Sequence, residues 1–263
     1  MAERAEVKEA RQIFAVAMLA GEILLQSGAE IYRVEDTIER ILRLSGYEGT
    51  ESFVTPTCIL MTLRDPGAET LTTIRRVTQR ENNLHRVAMT NTVARALCDG
   101  SLSIPLAEER LKTIRQSGAL PRWVSLLTLF LLPVCFYLFF GGTDPLFAGV
   151  CLLTGAWLAA ARVLFYRRFT IRFFHDLLCA AGVAFLASVT SGLMGAGTAQ
   201  MNLVIISSIM PLVPGVAITT AIRDVLHGDY QSGTARAAEA FIIATASAVG
   251  VGVGLFLSRA ILP

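Results

Sequence analysis

Residues 201–224 read MNLVIISSIMPLVPGVAITTAIRD, an apolar stretch cut near its middle by Pro211, Pro214 and Gly215. Each proline removes a backbone donor and clashes with the turn before it, so a helix here must kink or unwind. Backbone groups freed at membrane depth are tolerated only where protein buries them or where they line a cavity. A second half-helix starting near Gly215 presents the positive end of its dipole, which suits a carboxylate. Asn202, Ser207, Ser208, Thr219 and Thr220 add polar contacts, and Arg223 adds a cation. This pattern points to reversible binding of a small acid. The competing reading is a plain proline kink, common in membrane helices.

Ionisable residues inside apolar runs are expensive, and each is a functional candidate. His175 and Asp176 lie early in one run, Arg223 and Asp224 end another, and Glu239 opens a third. His175, Asp176, Asp224 and Glu239 are candidates for proton coupling or an inner vestibule. Interfacial anchoring is the alternative and is favoured for Arg223 alone. Outside the apolar runs, Glu30, Arg33, Glu35 and Asp36 form a dense charged cluster. A solvated helix face is its default reading, and a gating or docking surface the sharper one. Asp144, just before a proline, reads as turn chemistry. His85 has no partner pattern, and no nucleophile elbow, P-loop or metal spacing occurs. An intramembrane enzyme is disfavoured for want of paired aspartates or a Ser-His dyad at mid-depth.

Positioning these residues requires membrane-length helices, each of roughly 20 apolar residues. Five segments qualify, about 123–140, 146–165, 173–193, 201–222 and 237–258. The breaks are the turn GGTDP at 141–145, the basic loop YRRFTIR at 166–172, GAGTAQ at 195–200 and a longer polar loop at 223–236. Arg162, Arg167, Arg168 and Arg172 cluster at the second break, and Arg223 and Arg236 bracket the fourth. Positive loops face the cytoplasm. An odd number of spans then places the N-terminus in the cytosol and Pro263 outside. The last segment carries two small-residue sets, Ala240, Ala244, Ala248, Gly252 and Ala246, Gly250, Gly254. They predict a packing seam against another helix or subunit.

The first 120 residues are charged and periodic. Helices are expected over about 4–27, 30–45, 84–98 and 104–117, with Gly28 and Gly46 as stops and Ser103 as a cap. Asp36–Arg40 and Glu39–Arg43 have supportive i,i+4 spacing. ESFVTP, CILMTLRD and ETLTTIRRV read as three short strands, the last two joined at DPGAE. The expected architecture is an α-helical membrane protein: a small cytosolic α+β domain over 1–120, then five transmembrane helices over 121–263.

Composition agrees. Hydrophobic residues make up 53% and charged ones 17%, against about 25% charged in ordinary soluble domains. A net charge of +2 with no basic stripe speaks against nucleic acid as a partner. Cys58, Cys98, Cys135, Cys151 and Cys179 form no CxxC pair and read as apolar filler in a reducing compartment. The start, MAERAEVKEARQ, lacks a signal-peptide apolar region. Neither a metal nor a cofactor is expected.

Four separated strings resemble the threonine/serine exporter family: SGAEIYRVEDTIERI at 27–41, FVTPTCILMTLRDP at 53–66, NLHRVAMTNTVAR at 83–95 and IMPLVPGVAITTAIRD at 209–224. The resemblance covers nearly the whole chain and implies a bacterial inner-membrane exporter with a cytosolic N-terminal domain. It implies the longer component of a split exporter, working with a shorter membrane subunit as a hetero- or homo-oligomer. The expected cargo is a small carboxylate, either threonine and serine or a C4 dicarboxylate such as succinate, and the expected driver is the proton motive force acting through His175, Asp176, Asp224 or Glu239. Glu30, Arg33, Glu35, Pro211, Pro214, Gly215, Arg223 and Asp224 match the family strings. Thr220 stands where relatives usually carry Asn, which leaves the choice of cargo open. The alternative function is a non-transporting accessory subunit that regulates a permease.

Overall fold

The computed structural model describes residues 2–47, 49–64, 70–78, 80–117, 121–165 and 172–261. The chain divides into two compact units, Met1–Ala119 with Thr219–Arg236, and Leu120–Ile218 with Ala237–Pro263. The first unit thus takes in a segment from far along the sequence.

In this unit α1 (Ala2–Gln26) is the central element. Its residues Ile13, Val16, Ala17, Ala20, Ile23 and Leu24 are almost fully buried, because one apolar stripe meets several neighbours at once. Helix α2 (Ile31–Leu42) brings Val34, Ile38 and Ile41 against it. At Gly21 the two approach so closely that an added Cβ would lie 2.5 Å from Ile38 Cδ1. Gly28 ends α1 with a φ of +82°, and Gly46 closes the short 3-10 turn after α2 at +75°. Both values favour glycine.

Strands β1 (Gly49–Thr55), β2 (Cys58–Arg64) and β3 (Leu71–Arg76) form an antiparallel sheet in sequence order. Val54, Ile59, Met61 and Leu63 point into the core, while the cross-strand row Phe53, Leu60 and Ile74 lies on the outer face. Helices α3 (Leu84–Cys98) and α4 (Ile104–Gln116) complete the core with Val93, Leu97, Leu111 and Ile114. Ser103 stands at the N-cap of α4, but its side chain makes no capping bond; Asn83 caps α3 by accepting from the Arg86 N–H at 3.0 Å. The DPGAE turn lies outside the described residues.

The second unit contains α5 (Arg122–Phe139), α6 (Pro145–Phe165), α7 (Arg172–Leu193), α8 (Thr198–Ile209), the start of α9 (Gly215–Leu226) and most of α10 (Tyr230–Arg259). Among the described residues four helices are long and apolar enough to cross a membrane, or five if the bent pair α8–α9 forms one span. Small residues permit the tightest contacts. A Cβ at Gly155 of α6 would lie 2.1 Å from the Phe130 carbonyl oxygen of α5. Of the two small-residue sets on α10, Ala246, Gly250 and Gly254 are buried, and the two glycines pack against α7 of the same chain. Ala244, Ala248 and Gly252 face outward, with Ala240 buried. Arg167 and Arg168 lie outside the described residues.

The structure corrects the polar loop expected over 223–236. Helix α9 continues to Leu226, and α10 begins at Tyr230. Asp229 starts α10, its Oδ1 accepting from the Ser232 N–H at 3.3 Å. Hydropathy marks where apolar residues stop, but a helix continues through polar residues when protein buries them; Ser232 and Arg236 are buried.

Candidate functional site

The segment Ala29–Glu30–Ile31, which leads into α2, is gripped by residues of α9 and α10 almost 200 positions later. The Ile31 N–H has no helical partner of its own, as at any helix start. It donates to Asp224 Oδ1 at 3.2 Å. Arg236 donates from Nη2 to the Ala29 carbonyl at 2.9 Å, and its Nε lies 3.3 Å from Asp224 Oδ2. Asp224 is fully buried, and the Arg236 side chain is 7% exposed. Gly233 allows α10 to approach α9 here: an added Cβ would lie 2.4 Å from Val225 Cγ2 and 2.9 Å from the Ala221 carbonyl.

Glu30 closes the outer side of this network. Its Oε1 accepts from Arg223 Nη1 at 2.5 Å, and its Oε2 pairs with Arg33 Nε at 2.8 Å. Tyr32 stacks on His227, with centroids 4.0 Å apart and planes 2° from parallel. The His227 ring is held through Nδ1, 2.8 Å from the Arg223 carbonyl. The strings around Glu30 and around Arg223 therefore meet as one site within the first unit.

The charged cluster on α2 splits in two. Asp36–Arg40 and Glu39–Arg43 are the solvated face. Glu30 and Glu35 turn inward, which corrects the solvated reading for them. Glu35 Oε1 accepts from the Val54 N–H at 2.9 Å and so ties α2 to β1. Burial raises the Glu35 carboxyl above its ordinary range; the bond from Val54 opposes this, and Asp229, Glu39 and Asp224 add to it. A carboxyl raised on folding stabilises most below its unfolded value and loses that contribution as pH rises through the folded one. Glu35→Gln keeps an acceptor for Val54. Its melting temperature should therefore match or exceed that of the native chain at pH 8, with a shallower decline between pH 4.5 and 8. Calorimetric melts across that range check this, and identical slopes would exclude it.

The second unit holds a different polar set. Thr154 of α6 and Ser208 of α8, both fully buried, share a hydrogen bond of 2.7 Å. Ser207, also buried, donates to the Leu203 carbonyl at 2.7 Å, and Asn202 is exposed. After Ile209 the chain leaves the α-helical path. Met210–Leu212 form a 3-10 turn, Val213 is extended at φ −66°, ψ 127°, and α9 starts at Gly215. Pro211 is half-buried, Pro214 buried and Gly215 exposed. Thr219, exposed, and Thr220, buried, follow on α9 but belong to the first unit. On α7, His175 Nδ1 lies 3.0 Å from Asp176 Oδ1, with the Cys179 thiol 3.8 Å from Nε2. Glu239 is half-buried on α10.

Sequence reasoning missed the pairing of Arg236 with Asp224, the stack of Tyr32 on His227 and the role of Thr154. Arg236 did carry a signal, a lone arginine four residues before an apolar run at Ala240. Thr154 carried none beyond being a hydroxyl inside one.

Long apolar helices with buried hydroxyls between them, beside a unit rich in charge, are the build of a multi-pass membrane protein. The chain matches the ThrE family, described as "Putative threonine/serine exporter", over residues 15–258, and it belongs to that family. It is 28% identical to "Probable succinate transporter subunit YjjP" of Klebsiella aerogenes over 253 residues, 94% of this chain and 95% of the relative. It is also 28% identical to the protein of that name from Escherichia coli (strain K12) over 262 residues, 95% and 96% of the two chains. No solved structure matches it. Family and apolar helices together support a multi-pass membrane exporter.

Proposed function

We propose that this chain is one subunit of an inner-membrane exporter for small carboxylates, with cargo bound where α8 gives way to α9. The supporting observation is the interruption between Ile209 and Gly215, with the buried hydroxyls of Ser207 and Ser208 just before it. Transporters use such interrupted helices to bind substrate near the midplane. Threonine, serine and succinate share the carboxylate that a helix start favours. Succinate leads because both relatives carry it in their names. Those names also say subunit, and the partner in this reading is a shorter membrane protein. The N-terminal unit is cytosolic, and His175, Asp176, Asp224 and Glu239 are the groups that serve proton coupling in this reading.

The test is efflux of labelled succinate, serine and threonine from loaded cells that also express the shorter partner. Replacing Pro211 and Pro214 by Ala and Gly215 by Leu should lower efflux at least about tenfold, the equivalent of about 1.4 kcal/mol. Undiminished efflux removes the site from α8–α9. Efflux by the partner alone would instead favour the accessory-subunit reading.

A further inference from the structure

Glu30 holds the position of a ligand. Its two carboxylate oxygens are divided between two guanidinium groups, Arg223 at 2.5 Å and Arg33 at 2.8 Å. The Glu30 side chain is only 10% exposed, whereas those of Arg223 and Arg33 are 56% and 48% exposed. A covered carboxylate thus sits between two cations that reach solvent. Each guanidinium carries five donors. Glu30 accepts a hydrogen bond from Arg223 Nη1 and forms an ion pair with Arg33, whose Nε–H donates to the Tyr32 hydroxyl at 3.0 Å. The rest of the network does not need Glu30. Asp224 takes the Ile31 N–H, and Arg236 takes the Ala29 carbonyl. The deep half of the site therefore carries the structure and the outer half is exchangeable. Both guanidiniums reach solvent, so a carboxylate from outside can approach them without displacing any other part of the network.

We propose that Arg33 and Arg223 form a binding site for the carboxylate of a small acid, with Glu30 as its built-in occupant. A free carboxylate and Glu30 exchange on the same pair of guanidiniums, through the same charge-assisted hydrogen bonds. A dicarboxylate is favoured over a single acid group, because it can engage the two cations separately. This goes beyond the cargo site proposed at α8–α9, but it rests on that reading's view that the cargo is a carboxylate.

The experiment is calorimetric titration of succinate into the full chain in detergent micelles, with uncharged succinamide and with threonine as further arms. Glu30→Gln removes the competitor and should tighten succinate binding about tenfold, while Arg33→Gln and Arg223→Gln should weaken it about tenfold. Threonine should gain less from Glu30→Gln, and succinamide should not bind. The arginine variants alter exposed side chains, so they report even if Glu30→Gln does not fold. Succinate affinity within twofold of the native chain in both arginine variants overturns the proposal, as does equal tightening for succinamide. The two readings fail separately. Absent efflux of all three acids from cells with the partner sinks the exporter reading. Normal efflux with unaltered affinities in the variants sinks only the arginine site.

Discussion

Asp224→Ala is expected to destabilise the N-terminal unit by about 3–5 kcal/mol, because it removes one member of a buried ion pair, the carboxylate 3.3 Å from Arg236. Arg236 is 7% exposed and lies 3.3 Å from the Asp224 carboxylate, and it also donates to the Ala29 carbonyl at 2.9 Å. The same substitution strips the Ile31 N–H of its acceptor at the start of α2. An unsatisfied buried donor adds about 1–3 kcal/mol, although the two losses overlap because they share one carboxylate. Asp224→Asn keeps an oxygen for Ile31 and loses only the charge, so it should fall between Ala and the native residue. Replacing the pair together, Asp224→Leu with Arg236→Met, should recover most of the loss, since a buried ion pair can often be exchanged for apolar packing. The measurement is the labelling rate of Cys98, half-buried in this unit, by a thiol reagent in the full chain under native conditions. A labelling rate for Asp224→Ala equal to that of the native chain would sink the argument.

The elements of the N-terminal unit were legible because each has a strong local signature. Helix α3 runs over the expected 84–98, since its cap Asn83 and the helix stop after Cys98 are both local. The strands were legible from their alternation, as in Ile59, Met61 and Leu63. The start of α10 was not. GDYQSGTAR reads as loop by composition, and its helix depends on Asp229 and on burial that only the folded chain supplies. The site was half legible. Glu30, Arg33, Arg223 and Asp224 each stood out as charges in motifs, and the sequence set them among gating or binding candidates. That Glu30 meets Arg223 was beyond it, because a contact between residues 193 positions apart leaves no local periodicity to read. The same gap hid the assignment of Thr219–Arg236 to the first unit. Hydropathy follows the apolar run to Ile222, whereas packing divides the helix at Thr219.

The second large effect concerns α10, where two glycine positions two residues apart should respond in opposite ways. A Cβ at Gly254 would lie 2.2 Å from the Ala181 carbonyl oxygen and 3.0 Å from Ala184 Cβ. The first of these is backbone, so the clash is relieved only by moving one helix away from the other. Gly250 repeats the contact one turn earlier, 2.4 Å from the Leu177 carbonyl oxygen. Overpacking of this kind costs about 1–3 kcal/mol. In lipid the loss is felt fully, because close packing rather than expulsion of water holds apolar helices together. At Gly252 an added Cβ has nothing within 4 Å. Alanine at 252 also gains helix propensity of about 0.8–1 kcal/mol over glycine. Gly254→Ala should therefore lower the midpoint of thermal aggregation in detergent, and Gly254→Leu should lower it further or prevent recovery of monodisperse protein. Gly252→Ala should match or exceed the native chain. Size-exclusion profiles after graded heating read the difference. Equal midpoints for alanine at 252 and 254 would mean that α10 does not rest on α7 through this seam.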